Sequence, residues 1–254
     1  MTTLLELTVD AMSSRIGCDV RINGFSILAS SSFRPKTLGA RVDGFLVPGD
    51  NRVHVEVYPV PIDPTDQERP SFQMRVLATP RGEPKNDIDT FVIAAFADDA
   101  MRMKPTGRTE VLDHRFTLAE TRIRPKFLDA RPMDSERGAR DVSRALVGAL
   151  EAREPHRVRE LMSHRFDELA AASGLGRIDF EEGMMDLVEG AMKARDYVVE
   201  TSPQGLEIEQ GFGFRVLHVR GPGGGPAAVV RGGPLELCLS WSVADIDGRP
   251  TIVR

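Results

Sequence analysis

Apolar and polar residues alternate through most of the first half of the chain. Near Pro132 the rhythm changes to one apolar residue every three or four. A period of two marks a strand with one buried face, and a period near 3.6 marks a helix lying on a core. Val53, Val55 and Val57 alternate with Arg52, His54, Glu56 and Tyr58 after the turn Pro48-Gly49-Asp50-Asn51. Residues 18–22 and 25–27 flank Asn23-Gly24, the dipeptide best suited to a type I′ hairpin. A two-residue turn there sets Ile22 opposite Phe25, Val20 opposite Ile27 and Cys18 opposite Ala29, all on one face. Further strands are predicted over 4–9, 40–46, 72–77, 91–96 and 111–118, with polar, Pro-containing loops at 61–70 and 81–89. Short strands with turn signals at this spacing predict an antiparallel β-sandwich.

In the second half, residues 135–152 place Ala139, Val142, Ala145, Leu146, Ala149 and Leu150 at helical spacing, with Asp134 or Ser135 as N-cap. Glu154-Pro155 opens a second helix with the stripe Val158, Leu161, Met162, Phe166 and Leu169, and Gly174 and Gly176 end it. Asp179 caps a third helix running to about Arg195, apolar at Met184, Met185, Leu187, Val188 and Met192. Strands follow over 197–201, 206–220, 227–231, 235–244 and 251–253. A turn at Asp247-Gly248 pairs Val243 with Ile252. The reading is α+β: a β-sandwich domain over 1–131, then an α+β domain over 132–254 with three helices on one curved antiparallel sheet.

Two resemblances attach to these patterns. The run Val20-Arg21-Ile22-Asn23-Gly24 and the later Leu46-Val47-Pro48-Gly49-Asp50-Asn51-Arg52-Val53-His54-Val55 resemble a pattern of jelly-roll and immunoglobulin-like sandwiches, some of which bind sugars. The element order from Asp134 onward, ending in Trp241-Ser242-Val243 and a Gly248 turn, is similar to the nuclear-transport-factor-two-like (cystatin-like) fold. The chain departs from that fold in lacking strands between its second and third helices. The resemblance implies a cone-shaped cavity in the second domain, in a family that holds isomerases, dehydratases and hydrolases beside domains that only bind or assemble.

The charge balance narrows the partners. A net charge of -5 over 254 residues, with no basic excess in either half, argues against nucleic acid. No apolar run reaches membrane-spanning length, and the opening residues show neither a basic n-region nor a sustained apolar stretch, so no membrane association is expected. Two distant cysteines, Cys18 and Cys238, suit a reducing compartment, and the expected location is the cytoplasm.

Candidate chemistry is sparse. Gly221-Pro222-Gly223-Gly224-Gly225-Pro226 lacks the lysine and following helix of a phosphate loop, so it reads as a hairpin tip. Gly211-Phe212-Gly213-Phe214 reads as a kink inside a strand. His54, His114, His156, His164 and His218 are scattered at no metal-ligand spacing, and neither a metal nor a cofactor is predicted. His164 and Asp167, one helical turn apart, are the best acid–base candidates, set against the plainer reading of an exposed polar face. Neither cysteine stands where its thiol pKa would fall. Gly183 and Gly190, seven apart on the third helix, share a face and each costs about 1 kcal/mol against alanine.

Two functions follow. The first is a non-catalytic intracellular protein that binds another protein, as an adaptor or an immunity-type inhibitor. The second is a small-molecule binder or isomerase- or hydrolase-type enzyme. Its C-terminal cavity would be lined by Met185, Met192, Phe212, Phe214 and Trp241, with Tyr197 or His164–Asp167 as polar groups.

Overall fold

The computed structural model describes residues 5–14, 16–30, 36–59, 71–80, 91–98, 109–121, 124–133, 135–201, 205–212, 215–221 and 226–253. The chain is α+β and divides into two compact units, Met1–Arg122 and Ile123–Arg254.

Among its described residues the first unit holds eight antiparallel strands: β1 (Leu5–Ser14), β2 (Ile16–Ile22), β3 (Phe25–Ser30), β4 (Lys36–Arg41), β5 (Gly49–Pro59), β6 (Ser71–Pro80), β7 (Phe91–Asp98) and β8 (Glu110–Leu118). They form two sheets ordered β4-β1-β6-β7 and β3-β2-β5-β8. Alternate residues of β2 (Ile16, Cys18, Val20, Ile22), β5 (Val53, Val55, Val57) and β6 (Phe72, Met74, Val76, Ala78) share one buried cluster. The period of two in the sequence is thus the inward face of each strand. The predicted strand over 40–46 is displaced: β4 ends at Arg41 and the chain enters a short 3₁₀ turn, Asp43–Phe45. The predicted loops at 61–70 and 81–89 lie outside the described residues.

The Asn23-Gly24 turn forms with φ of 54° and 85°, the left-handed values a type I′ turn requires. Ile22 faces Phe25 as predicted, but the register then slips. A bulge between Val20 and Arg21 sets Val20 opposite Leu28 and Cys18 opposite Ser30, where simple alternation sets Ile27 and Ala29. Asn23 also links two distant turns. Its amide donates to Asn51 Oδ1 (2.8 Å) and its Oδ1 accepts the Arg52 N–H (2.9 Å). Asn51, only 1% exposed, donates in turn to the Val47 carbonyl (2.8 Å). The two halves of that sequence pattern pair along β2 and β5, and the two asparagines join the turns at their ends.

The second unit holds α1 (Arg137–Glu151), α2 (Pro155–Ser173) and α3 (Arg177–Met192). After them come β9 (Val198–Glu200), β10 (Glu207–Gly211), β11 (Val216–Arg220), β12 (Ala228–Gly232), β13 (Leu235–Leu239), β14 (Trp241–Ile246) and β15 (Arg249–Ile252). Pro155 stands in the first turn of α2 and Gly174 closes it at φ 72°. α1 begins after Glu136, and α3 begins two residues before Asp179, which stands in its first turn. The strands form two sheets, β10-β11-β14-β15 and β13-β12-β9, rather than one. Two long predicted strands each break in the middle. Residues 206–220 fold into the β10–β11 hairpin, and residues 235–244 break at Ser240, whose carbonyl accepts a hydrogen bond from Arg165 (2.8 Å). At the other end the predicted pairing of Val243 with Ile252 is present.

All three helices and both sheets of this unit feed one core, which includes Leu146, Leu150, Met162, Phe166, Met185, Leu217 and Trp241. The indole N–H of Trp241 donates to Ser143 Oγ (2.9 Å), so the one polar atom of the ring is satisfied inside that core. Leu187, assigned by spacing to the buried stripe of α3, is instead 42% exposed. Residues 124–131, which carry neither rhythm clearly, belong with this unit, although the change of rhythm lies at Pro132. Their 3₁₀ helix Lys126–Asp129 buries Phe127 against Phe212 (5.1 Å between ring centres), and Arg131 makes a β-bridge to Asp245.

Candidate functional site

The residues singled out in the sequence do not converge. Asp167 is exposed and pairs with Arg177, whose guanidinium also reaches Glu181 and lies over the Phe166 ring. It does not orient His164. The carboxylate that meets His164 is Glu168, one helical turn on, with Nε2 to Oε1 at 3.6 Å. Glu168 is 5% exposed, and the same Oε1 accepts the backbone N–H of Lys126 at 2.8 Å. At i, i+4 it lies as close to His164 as a residue at i, i+3, so the spacing alone does not choose between the two carboxylates.

The residues proposed as cavity walls are mostly core. Met185, Met192 and Trp241 are at most 5% exposed and sit within the buried cluster. Tyr197 packs against that cluster and donates its hydroxyl to the Leu150 carbonyl (2.7 Å), with Arg153 over its ring. Phe212 lies in the β10–β11 turn with φ 51°, which corrects its reading as part of a kinked strand, and Phe214 lies outside the described residues. Among the described residues, no group of three His, Cys, Asp or Glu side chains is placed to hold a metal ion. None of the described helices is long and apolar enough to cross a membrane.

What the fold does assemble is a polar cleft of about 460 Å³ between the 3₁₀ segment and the β14–β15 hairpin. Lys126, Asp129 and Arg131 line one side, with Asp245, Asp247 and Gly248 on the other. Both walls are fixed by backbone contacts: Glu168 holds the Lys126 N–H, and the Arg131–Asp245 bridge joins the segment to β14. Asp129 is engaged by Arg124 (2.8 Å), which lowers its carboxyl pKa. Asp245 differs, because its Oδ1 is shut off from solvent without a hydrogen-bond partner. His164 Nε2 and Arg165 Nε on α2 are in the same condition. Burial draws the Arg165 guanidinium pKa down to about 10, so it remains a cation at neutral pH, with no carboxylate among the described residues within ion-pair distance. Buried polar atoms are nearly always paired in native proteins, and the exceptions gather where a ligand or reaction uses them.

A second constellation, on the first unit, is not marked by any sequence motif. Along β2, β5 and β8 run Asp19, Arg21, Glu56, His54, Asp113 and Arg52. Arg21 pairs with Asp19 and lies 3.8 Å from Glu56. His54 meets Glu56 at 3.0 Å and Asp113 at 2.9 Å, and Arg52 holds both oxygens of Asp113 (2.7 and 2.9 Å). The Arg52 hydrogen bond is the main cause holding the Asp113 pKa down at about 2. Ion-pair register across strands determines this chain, and it is visible in a sequence only once the pairing is known.

No protein-family model matches the chain, and neither do any curated protein or solved structure. The fold resemblances drawn from the sequence therefore rest on the chain's own motifs and element order.

Proposed function

We propose that this protein is a non-catalytic, cytoplasmic protein-binding protein that docks a basic partner on the outer face of α3. The observation that carries this reading is the make-up of that face. Asp179, Glu182 and Asp186 are exposed, and none has an ion-pair partner among the described residues. Apolar side chains flank them, with Ile178 68% and Leu187 42% exposed, and Leu175 just before the helix 56% exposed. By helical spacing Ile178 and Leu187 fall on the two edges of the acidic strip. A surface with an apolar rim beside an uncompensated negative charge suits a partner offering Lys or Arg beside apolar anchors. Gly183 lies on the same face with open space over its Cα, which leaves bare backbone for close approach. The finer architecture, a β-sandwich carrying a nuclear-transport-factor-two-like domain, belongs to the same proposal, since many such domains serve assembly.

The test compares proteins captured from native lysate by the full-length chain and by an Ile178→Ser/Glu182→Lys/Asp186→Lys variant. A basic partner that is held by the unmodified protein, released by moderate salt and lost with the variant supports the reading. Partners retained equally by both proteins, or no partner at all, overturn it.

A further inference from the structure

The cleft between the 3₁₀ segment and the β14–β15 hairpin holds charges of both signs that do not neutralise one another. Lys126 and Arg131 line one wall beside Asp129, whose carboxylate is taken up by Arg124, and Asp245 and Asp247 line the other; among the described residues neither Lys126 nor Arg131 forms an ion pair, and neither Asp245 nor Asp247 has a cationic partner. Elsewhere in the second unit opposite charges in reach of each other have closed up: Arg177 with Asp167 and Glu181, Arg159 with Glu181, Arg231 with Glu200 and Glu236. In the cleft they have not. The Lys126 N–H is fixed to Glu168 and the Arg131–Asp245 bridge joins the two walls, beside a gap of about 460 Å³. That volume falls in the range of small-ligand sites. The carboxylate of Asp245 adds a second observation, because one of its oxygens is buried without a donor. Such an atom costs free energy unless the carboxylate as a whole is compensated, and a cation or ammonium group at its open oxygen supplies that compensation.

We propose that this cleft is a binding site for a small zwitterion of the amino-acid class, free or as the terminus of a short peptide. Its carboxylate lies toward Lys126 and Arg131, and its ammonium group lies against Asp245 with Asp247 nearby. Arg131 offers the planar fork that matches a carboxylate, and Lys126 supplies a point charge on a flexible stem. A simple anion would be repelled by the acidic wall and a simple amine by the basic one, so recognition requires both charges on one molecule. The site is independent of the α3 face, and either can fail without the other.

The experiment is a calorimetric titration of the full-length protein with a panel of free L-amino acids. N-acetylated and C-amidated forms of the same compounds, acetate and ethylamine serve as single-charge controls. The expected result is saturable binding by at least one free amino acid, weakened about tenfold or more when either end is blocked. Asp245→Asn should weaken binding to a similar degree. Should that variant lose its fold by circular dichroism, Lys126→Met/Arg131→Met, at two exposed positions, carries the same test. Binding that survives blocking of either end overturns the proposal, as does the absence of saturable binding by every free amino acid up to millimolar concentration.

Discussion

Among the described residues, the two units differ in whether buried polar side-chain atoms are left without a partner. On the β3-β2-β5-β8 sheet each charge from Asp19 to Arg52 has a partner, and the innermost pair, Asp19–Arg21, has side chains only 6% and 10% exposed. In the second unit Arg165 has no carboxylate partner, His164 Nε2 accepts and donates nothing, and Asp245 keeps a sealed oxygen. A completed network contributes to one unit's own stability, whereas unpaired polar atoms are a cost that persists where something else uses them. The contrast teaches where to look. A chain of ion pairs on a sheet is sufficient in itself, and an open cleft beside unsatisfied groups is not.

The sharpest way to break that comparison is to remove one charge from each unit. Asp19→Asn removes the charged partner of the buried Arg21, and we expect a loss of about 3 kcal/mol in denaturant unfolding. Arg165→Met removes a buried cation that has no carboxylate partner among the described residues, together with its hydrogen bond to the Ser240 carbonyl, so unfolding free energy should fall by no more than about 1 kcal/mol. Equal losses in the two variants would mean that Arg165 is as structural as Arg21. A second probe is Gly183→Ala. With nothing within contact distance of the added methyl group, the variant should gain about 1 kcal/mol, read as a raised melting temperature. If it gains nothing, the glycine has a role in the fold itself rather than at an open surface.

The smallest effect concerns pH. The Asp113 pKa is lowered from 3.8 to about 2 in the folded protein. A depressed carboxyl stabilises fully above its ordinary value, and the contribution fades as pH falls through 3.8 and is gone by about 2. Because the side chain is 42% exposed, solvent screening holds the effect below about 1 kcal/mol. The stability gap between the unmodified protein and Asp113→Asn should therefore narrow to nothing between about pH 5 and 2. A gap that stays constant across that window would remove Asp113 from the network.

Much of the scaffold was readable because it depends on local pattern. Asn23-Gly24 marked its hairpin, Pro155 and Gly174 marked the ends of α2, and Asp247-Gly248 placed Val243 against Ile252, all through dihedral preferences that act within a few residues. The bulge at Val20/Arg21 was hidden, since an extra residue on one strand leaves the alternation of its partner intact. The division of residues 206–220 into two strands was hidden because Phe212 carries the left-handed conformation, and an aromatic residue does not advertise it. The candidate site was the least legible. Asp245 and Asp247 read as turn residues and Lys126 belongs to no motif, and only the packing of residues 124–131 beside β14 brings them to one cleft.

By itself the sequence determined where strands give way to helices, which residues face inward, and which short turns join neighbouring elements, because those properties are set by side-chain periodicity and local backbone energetics. Tertiary structure alone decided which charges meet. Glu168 rather than Asp167 stands beside His164, and Asp19 and Arg21 close on each other while Lys126, Arg131 and Asp245 do not. Pairing depends on distances between segments far apart in the chain, and a change of a few ångströms in their packing makes or breaks a Coulombic contact without altering any local pattern.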